Sequence, residues 1–150
     1  MRKNELVTSD LDSSNILYLG DVEIGLEELT IIENIKSVFW ISGIKWNEEL
    51  LKMLQKIQPD EKLNTLYKES SLGMQLLVGL SLLLSNKKWK MVILDETLSG
   101  LDVKKREYFF QILKKISQES LVVFVAHGIE NVDVDFTEIS VSDGGIIDGK

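Results

Sequence analysis

The chain has 150 residues and a mass of 17.0 kDa, 44% apolar and 27% charged. This is the make-up of one ordinary soluble domain, and it excludes disordered, collagenous and low-complexity classes. Seventeen Lys and Arg against twenty-four Asp and Glu leave a formal charge of -7, which argues against a sequence-independent grip on nucleic-acid phosphates. With no cysteine and one histidine, disulfides, thiolate metal sites, thiol catalysis and zinc sites built on several histidines are excluded. The N-terminal MRKNELVTSD has no apolar stretch behind its basic residues, so it does not read as a secretory signal. The most apolar window, 72–84, is shorter than the ~20 residues that cross a bilayer. A cytoplasmic protein is expected, at most peripheral on the inner face of the membrane.

No repeat or linker interrupts the chain, and Pro59 is its only proline. The apolar run 16–19, stopped by Gly20, predicts a strand. Thr30 with Glu33 three residues on is a capping-box pattern, so a helix is predicted from Ile31 towards Ile41, with Gly43 as its stop. Asn47 caps a second helix carrying Glu48 and Glu49 in its first turn and Leu50, Leu54 and Ile57 on one face, ended by Pro59. Residues 72–84, apolar nearly all round, predict a buried helix that starts at Ser70 or Ser71. Residues 91–94 and 121–125 are continuous apolar runs of strand length, each expected to be buried on both faces. Between them Asp102 caps a helix over 103–117, which makes a right-handed crossover unit. An alternating stretch at 137–141, the pair Asp143-Gly144 and the return 146–147 predict a hairpin.

The chemistry gathers where these elements end. Asp95 and Glu96 stand directly beyond a buried strand, and in open α/β sheets the ligand crevice lies at the carboxyl ends of the strands. A carboxylate there can hold Mg²⁺, and its neighbour can orient or deprotonate a water. Both also serve simply to solubilise a strand end. Ser99-Gly100-Leu101-Asp102 follow closely, the next strand ends at His127, and Ser71-Leu72-Gly73 open the buried helix with free backbone N–H groups suited to an anion. Taken singly, Ser70, Ser71 and Asp102 are ordinary helix caps and His127 an ordinary structural histidine.

In this order the motifs resemble the ATP-binding cassette (ABC) ATPase family, the motor subunits of ABC transporters. SSLGMQ resembles the LSGGQ signature, with Ser71 and Gly73 on the matching serine and second glycine. MVILDE resembles the Walker B strand. The resemblance implies Asp95 as the magnesium-associated carboxylate and Glu96 as catalytic base, Asp102 as the end of the D-loop, His127 as the switch histidine, and Asp21 at the Q-loop glutamine. It covers about 16–147 and implies an α/β, P-loop NTPase-like cassette fold lacking its N-terminal part, with a helical subdomain over about 27–85 and a core with a C-terminal mixed sheet over about 88–150, all within one domain.

Departures accompany the resemblance. Leu72, Met74, Asp21 and Thr97 replace the first signature glycine, the signature glutamine, the Q-loop glutamine and the usual proline after the catalytic glutamate. GxxxxGK[ST], the loop that cradles phosphates and supplies the lysine and the Mg²⁺-binding hydroxyl, does not occur in these 150 residues. The chain is therefore expected not to hydrolyse ATP alone. It is expected to work with ATP and Mg²⁺ only in a complete dimer, beside a complete ABC ATPase subunit or a missing N-terminal piece and a transmembrane transporter subunit docked on 29–84. The alternative is a non-catalytic interaction module or decayed cassette remnant. Apolar surface left open by the absent part is expected, whereas Trp40 and Trp46 are expected to be packed.

Overall fold

The computed structural model describes residues 12–20, 24–125, 137, 139–142 and 145–148, and only the backbone course of the last two segments. Asp12 accepts a hydrogen bond from the Ser14 amide and caps a single 3-10 turn, Ser13–Asn15, which leads into strand β1 (Ile16–Leu19). Among the described residues four α-helices follow before β2 (Met91–Asp95): α1 (Ile31–Ile41), α2 (Glu48–Ile57), the short α3 (Asp60–Leu63) and α4 (Leu72–Leu80). Helix α5 (Val103–Ile116) then crosses over to β3 (Leu121–Val125). Strands β1, β2 and β3 form a parallel sheet in that order, with Tyr18 beside Ile93 and Ile93 beside Val123. Strands β4 (Ile139–Ser142) and β5 (Gly145–Asp148) pair antiparallel, as the predicted hairpin requires, and its turn pair Asp143-Gly144 lies outside the described residues.

The predicted caps are present in atomic detail. Thr30 and Glu33 form the reciprocal box, with Thr30 Oγ1 accepting from the Glu33 amide at 3.3 Å and Glu33 Oε2 accepting from the Thr30 amide at 2.8 Å. Asn47 accepts from the Leu50 amide and Asp102 from the Lys105 amide. Each such bond satisfies one orphan helix donor and is worth about 1 kcal/mol. The core is one cluster in which α1 packs on α4 and α4 meets β1 where Leu19 lies against Gly79: Ile31, Ile35 and Phe39 from α1, Leu77, Val78 and Leu80 from α4, and Leu17, Leu19, Val92 and Leu94 from the strands are all buried. At roughly 1.5–3 kcal/mol per fully buried large side chain, this cluster is what fixes the helices on the sheet.

Three expectations are corrected. The buried helix is α-helical only to Leu80 and tightens to a 3-10 form over Ser81–Leu84. There the fully buried Ser81 hydroxyl donates to the Val78 carbonyl at 2.6 Å, a back-bond that competes with the α ladder. Neither β2 nor β3 is buried on both faces: Met91 and Ile93 are only half-buried, and Leu121, Val123 and Val125 are 42%, 40% and 49% exposed, because the helices cover only the face of Val92, Leu94, Val122 and Phe124. The packed reading holds for Trp46, whose ring meets Phe39 edge-on at 5.7 Å, but fails for Trp40, which is 82% exposed. Trp40 falls one turn after Lys36 on the face of α1 that carries Glu33, turned about 100° from Phe39 and out of the buried stripe.

Candidate functional site

Strand β2 delivers Asp95 to the carboxyl end of the sheet, where Oδ2 accepts a 3.3 Å hydrogen bond from the Tyr18 hydroxyl of β1. The next residue turns sharply. Glu96 has φ +55°, the left-handed region that a side chain with a Cβ adopts at a cost of about 1–2 kcal/mol. The conformation is pinned on both sides: the Glu96 amide donates to the Val125 carbonyl at 2.8 Å, and the Glu96 carbonyl accepts from the Ser99 amide at 3.0 Å. Its side chain emerges at an exposed position. Strain held this firmly by its surroundings is characteristic of functional turns.

The loop after Glu96 is anchored residue by residue. Thr97 is buried and its hydroxyl donates to the Leu19 carbonyl at 2.8 Å, tying this loop to the end of β1. Leu98 and Leu101 enter the core, and Asp102 closes the loop as the cap of α5. The Asp102 carboxyl lies below the usual carboxylate range, chiefly because the Lys105 amide donates to it, with the Lys105 side chain adding a smaller pull in the same direction.

Helix α4 starts beside this loop. Ser71 occupies the N-cap position, yet its side chain makes no capping bond and is exposed; its carbonyl instead accepts from the Met74 and Gln75 amides. The helix therefore presents a hydroxyl and the positive end of its dipole to the surface. A Cβ on Gly73 would come 3.3 Å from the Gly100 carbonyl oxygen, and one on Gly100 would come 2.5 Å from a Leu76 methyl. The two glycines thus let the start of α4 and the 96–102 loop touch. Ser71 and Gly73 are brought to the loop that joins Asp95 and Glu96 to Asp102, whereas Asp21 and His127 lie outside the described residues.

Four residues absent from the sequence-based set help to build this region. Tyr18 holds Asp95, Thr97 holds the β1 end, and the Tyr67 carbonyl accepts from both Ser70 Oγ at 2.6 Å and Gln75 Nε2 at 3.0 Å. Met74, aligned with the signature glutamine, points into the core, and Gln75 beside it carries the polar contact. Among the described residues no group of three or more His, Asp or Glu converges as a metal cage. Asp95 fits the other common arrangement for Mg²⁺, in which one or two carboxylates share the ion with substrate phosphates.

Comparison with known proteins bears on what this region belongs to. No family model matches the chain. In sequence it is similar to the human phospholipid-transporting ATPase ABCA3, 27% identical over 117 residues that span 75% of this chain and 7% of that protein. In structure, 81% of the chain superposes on 61% of a Pyrococcus furiosus protein named "Putative ABC transporter (ATP-binding protein)", with a TM-score of 0.61 and 19% identity. The same share superposes on 60% of an ATP-binding cassette solved as a dimer in a post-hydrolysis state with ADP and Pi, with a TM-score of 0.61 and 24% identity. The fold is that of an ABC transporter ATP-binding cassette. The resemblance read from the motifs is thus found again in the architecture, and the chain spans about three fifths of the length of these cassettes. No helix among the described residues of this cassette fold is long and apolar enough to cross a membrane.

Proposed function

We propose that the chain supplies the signature and Walker B side of an ABC transporter ATPase whose P-loop comes from elsewhere, either another part of a longer polypeptide or another subunit. The observation that carries this reading is the contact between the uncapped start of α4 and the loop following Asp95 and Glu96. Ser71 and the first N–H groups of α4 form an anion site for the phosphates of an ATP held by the P-loop of a facing cassette. In the chain's own half-site, Asp95 would hold Mg²⁺ and the exposed Glu96 carboxylate would orient and deprotonate the attacking water; the motif resemblance assigns His127 and Asp21, both outside the described residues, to the γ-phosphate and the metal. ATP with Mg²⁺ supplies the phosphoryl group, and these residues bind, orient and accept the proton.

The sheet supports the need for a further piece. All-parallel sheets are covered on both faces, yet here Tyr18, Leu121, Val123 and Val125 leave one face substantially open, and β3 has no further described strand beyond it. A P-loop strand and its helix covering this face would close the sheet. Trp40 and Ile41, both strongly exposed at the end of α1, give the helical region 27–85 an apolar surface for a transmembrane subunit. The test is ATP turnover by a complete ABC cassette with and without the chain. A change in rate that disappears with Ser71→Ala supports the reading; no change on adding the chain refutes completion by a separate subunit, and an unchanged rate with Ser71→Ala in the chain's native assembly refutes the reading as a whole and leaves a non-catalytic module.

A further inference from the structure

The segment that follows β1 and the start of α4 are more than forty residues apart in sequence, yet one residue touches both. The Tyr67 ring lies against Gly25 so closely that any Cβ there would overlap it. The Tyr67 amide donates to the Leu29 carbonyl at 2.9 Å, and the flanking Ile31 amide donates to Thr65 at 3.0 Å. On its other side the Tyr67 carbonyl accepts three bonds: from the Ser70 amide at 3.1 Å, from Ser70 Oγ at 2.6 Å and from Gln75 Nε2 at 3.0 Å. The first segment is itself locked to α1 by the buried Asn34, whose side chain accepts from the Leu26 amide at 2.7 Å and donates to the carbonyls of Leu26, Leu29 and Thr30.

From this continuous set we infer that Tyr67 is a mechanical link that transmits the position of residues 24–29 to the first turn of α4, with Gly25 and Gln75 as positioning residues for Ser71 and Gly73. The ring half of the link is steric and the carbonyl half is polar, so a shift of residues 24–29 must move Tyr67 as a unit or strain the bonds at its carbonyl, where the Ser70 amide closes a 3-10 turn over Tyr67–Glu69 and Gln75 Nε2 reaches in from α4. Tyr67 is almost wholly buried, which keeps water from replacing those bonds. Because Ser71 has no capping bond of its own, the Gln75 amide group one turn on is the side-chain tie that holds this end of the helix to the preceding segment. The link itself is a property of the fold; its consequence for nucleotide rests on the function proposed above.

Amide hydrogen exchange on the 150-residue chain tests it without nucleotide or partner. Gln75→Leu removes the Nε2 bond at nearly constant volume and is expected to speed exchange at Met74 and Gln75 by about five- to tenfold. The link also requires reciprocity: the same substitution should speed exchange at Leu26 and Leu29 by at least about twofold, while α5 amides stay unchanged. Gly25→Ala should accelerate exchange at both ends in the same way, and Gln75→Leu serves alone if Gly25→Ala does not fold. Faster exchange confined to 72–76, with Leu26 and Leu29 unaffected, overturns the link, as does uniform acceleration that includes α5. Failure of the Ser71 turnover assay with reciprocal exchange intact would instead remove the proposed function and leave the link standing.

Discussion

Glu96 offers a perturbation whose sign is set by backbone geometry alone. At φ +55° a residue with a Cβ carries about 1–2 kcal/mol of strain that glycine does not. Glycine in turn gives up about 0.4–1 kcal/mol through the greater freedom of its unfolded chain. Comparing Glu96→Gly with Glu96→Ala removes the same carboxylate contacts in both, so the difference isolates these two effects and should favour glycine by about 0.8 kcal/mol, the midpoint of the two ranges. For 150 residues this corresponds to a Tm higher by about 2–3 °C, read by calorimetry or circular dichroism. The same pair at the exposed position Gln111 in the middle of α5 should show the opposite order, alanine being favoured by about 1 kcal/mol. Alanine equal to or better than glycine at 96 would refute the left-handed turn, and with it the argument that this strain is held in place by Val125 and Ser99.

Asp102→Ala should lower stability by about 1 kcal/mol at pH 7 through loss of the α5 cap, measured by urea unfolding. Since the folded Asp102 carboxyl lies below its unfolded value, its contribution is fully present above the unfolded pKa and fades as pH falls through the folded one. The gap between wild type and Asp102→Ala should therefore close below about pH 4. Thr97→Val keeps the side-chain shape but removes the bond to the Leu19 carbonyl, and should cost about 0.5–1.5 kcal/mol in the same assay, whereas a neutral result would deny Thr97 its role in anchoring the loop. Iodide should quench a large part of the tryptophan emission in the wild type and little of it in Trp40→Phe, because Trp89 is buried and Trp46 packs on Phe39.

How far the sequence reaches is visible in particular residues. Local signals were sufficient for α1, α2 and α5, since Thr30, Asn47 and Asp102 are caps that act within three residues. They are also sufficient for the parallel strands: β1 and β3 have the bounds of their apolar runs, and β2 continues one residue beyond its run, through Asp95. The exposed face of β3 was not legible, because an unbroken apolar run reads the same whether one face is covered or two. Trp40 was misplaced because a tryptophan carries no mark of which helix face it will occupy until the neighbouring helix is known. The site shows the same division. Order, spacing and the family resemblance single out Asp95, Glu96, Ser71, Gly73 and Asp102 as candidates, but the Tyr18–Asp95 and Thr97–Leu19 bonds span 77 and 78 residues and exist only through the pairing of β1 with β2. Tyr67 and Gln75 escaped because their partners are backbone carbonyls and a glycine, which leave no trace in side-chain pattern.

The central claim is that this chain carries the water-activating and signature groups of an ATPase completed by a P-loop from elsewhere. The most direct measurement is Mg²⁺-dependent ATP turnover by the complex purified from its native cells through a tag on this chain, compared with the same complex bearing Glu96→Gln. The account predicts no turnover by the isolated 150 residues, turnover by the complex, and a fall of about 10²–10⁴-fold with Glu96→Gln, the usual effect of losing a general base. An unchanged rate in the Glu96→Gln complex, or turnover by the isolated chain equal to that of the complex, would contradict it.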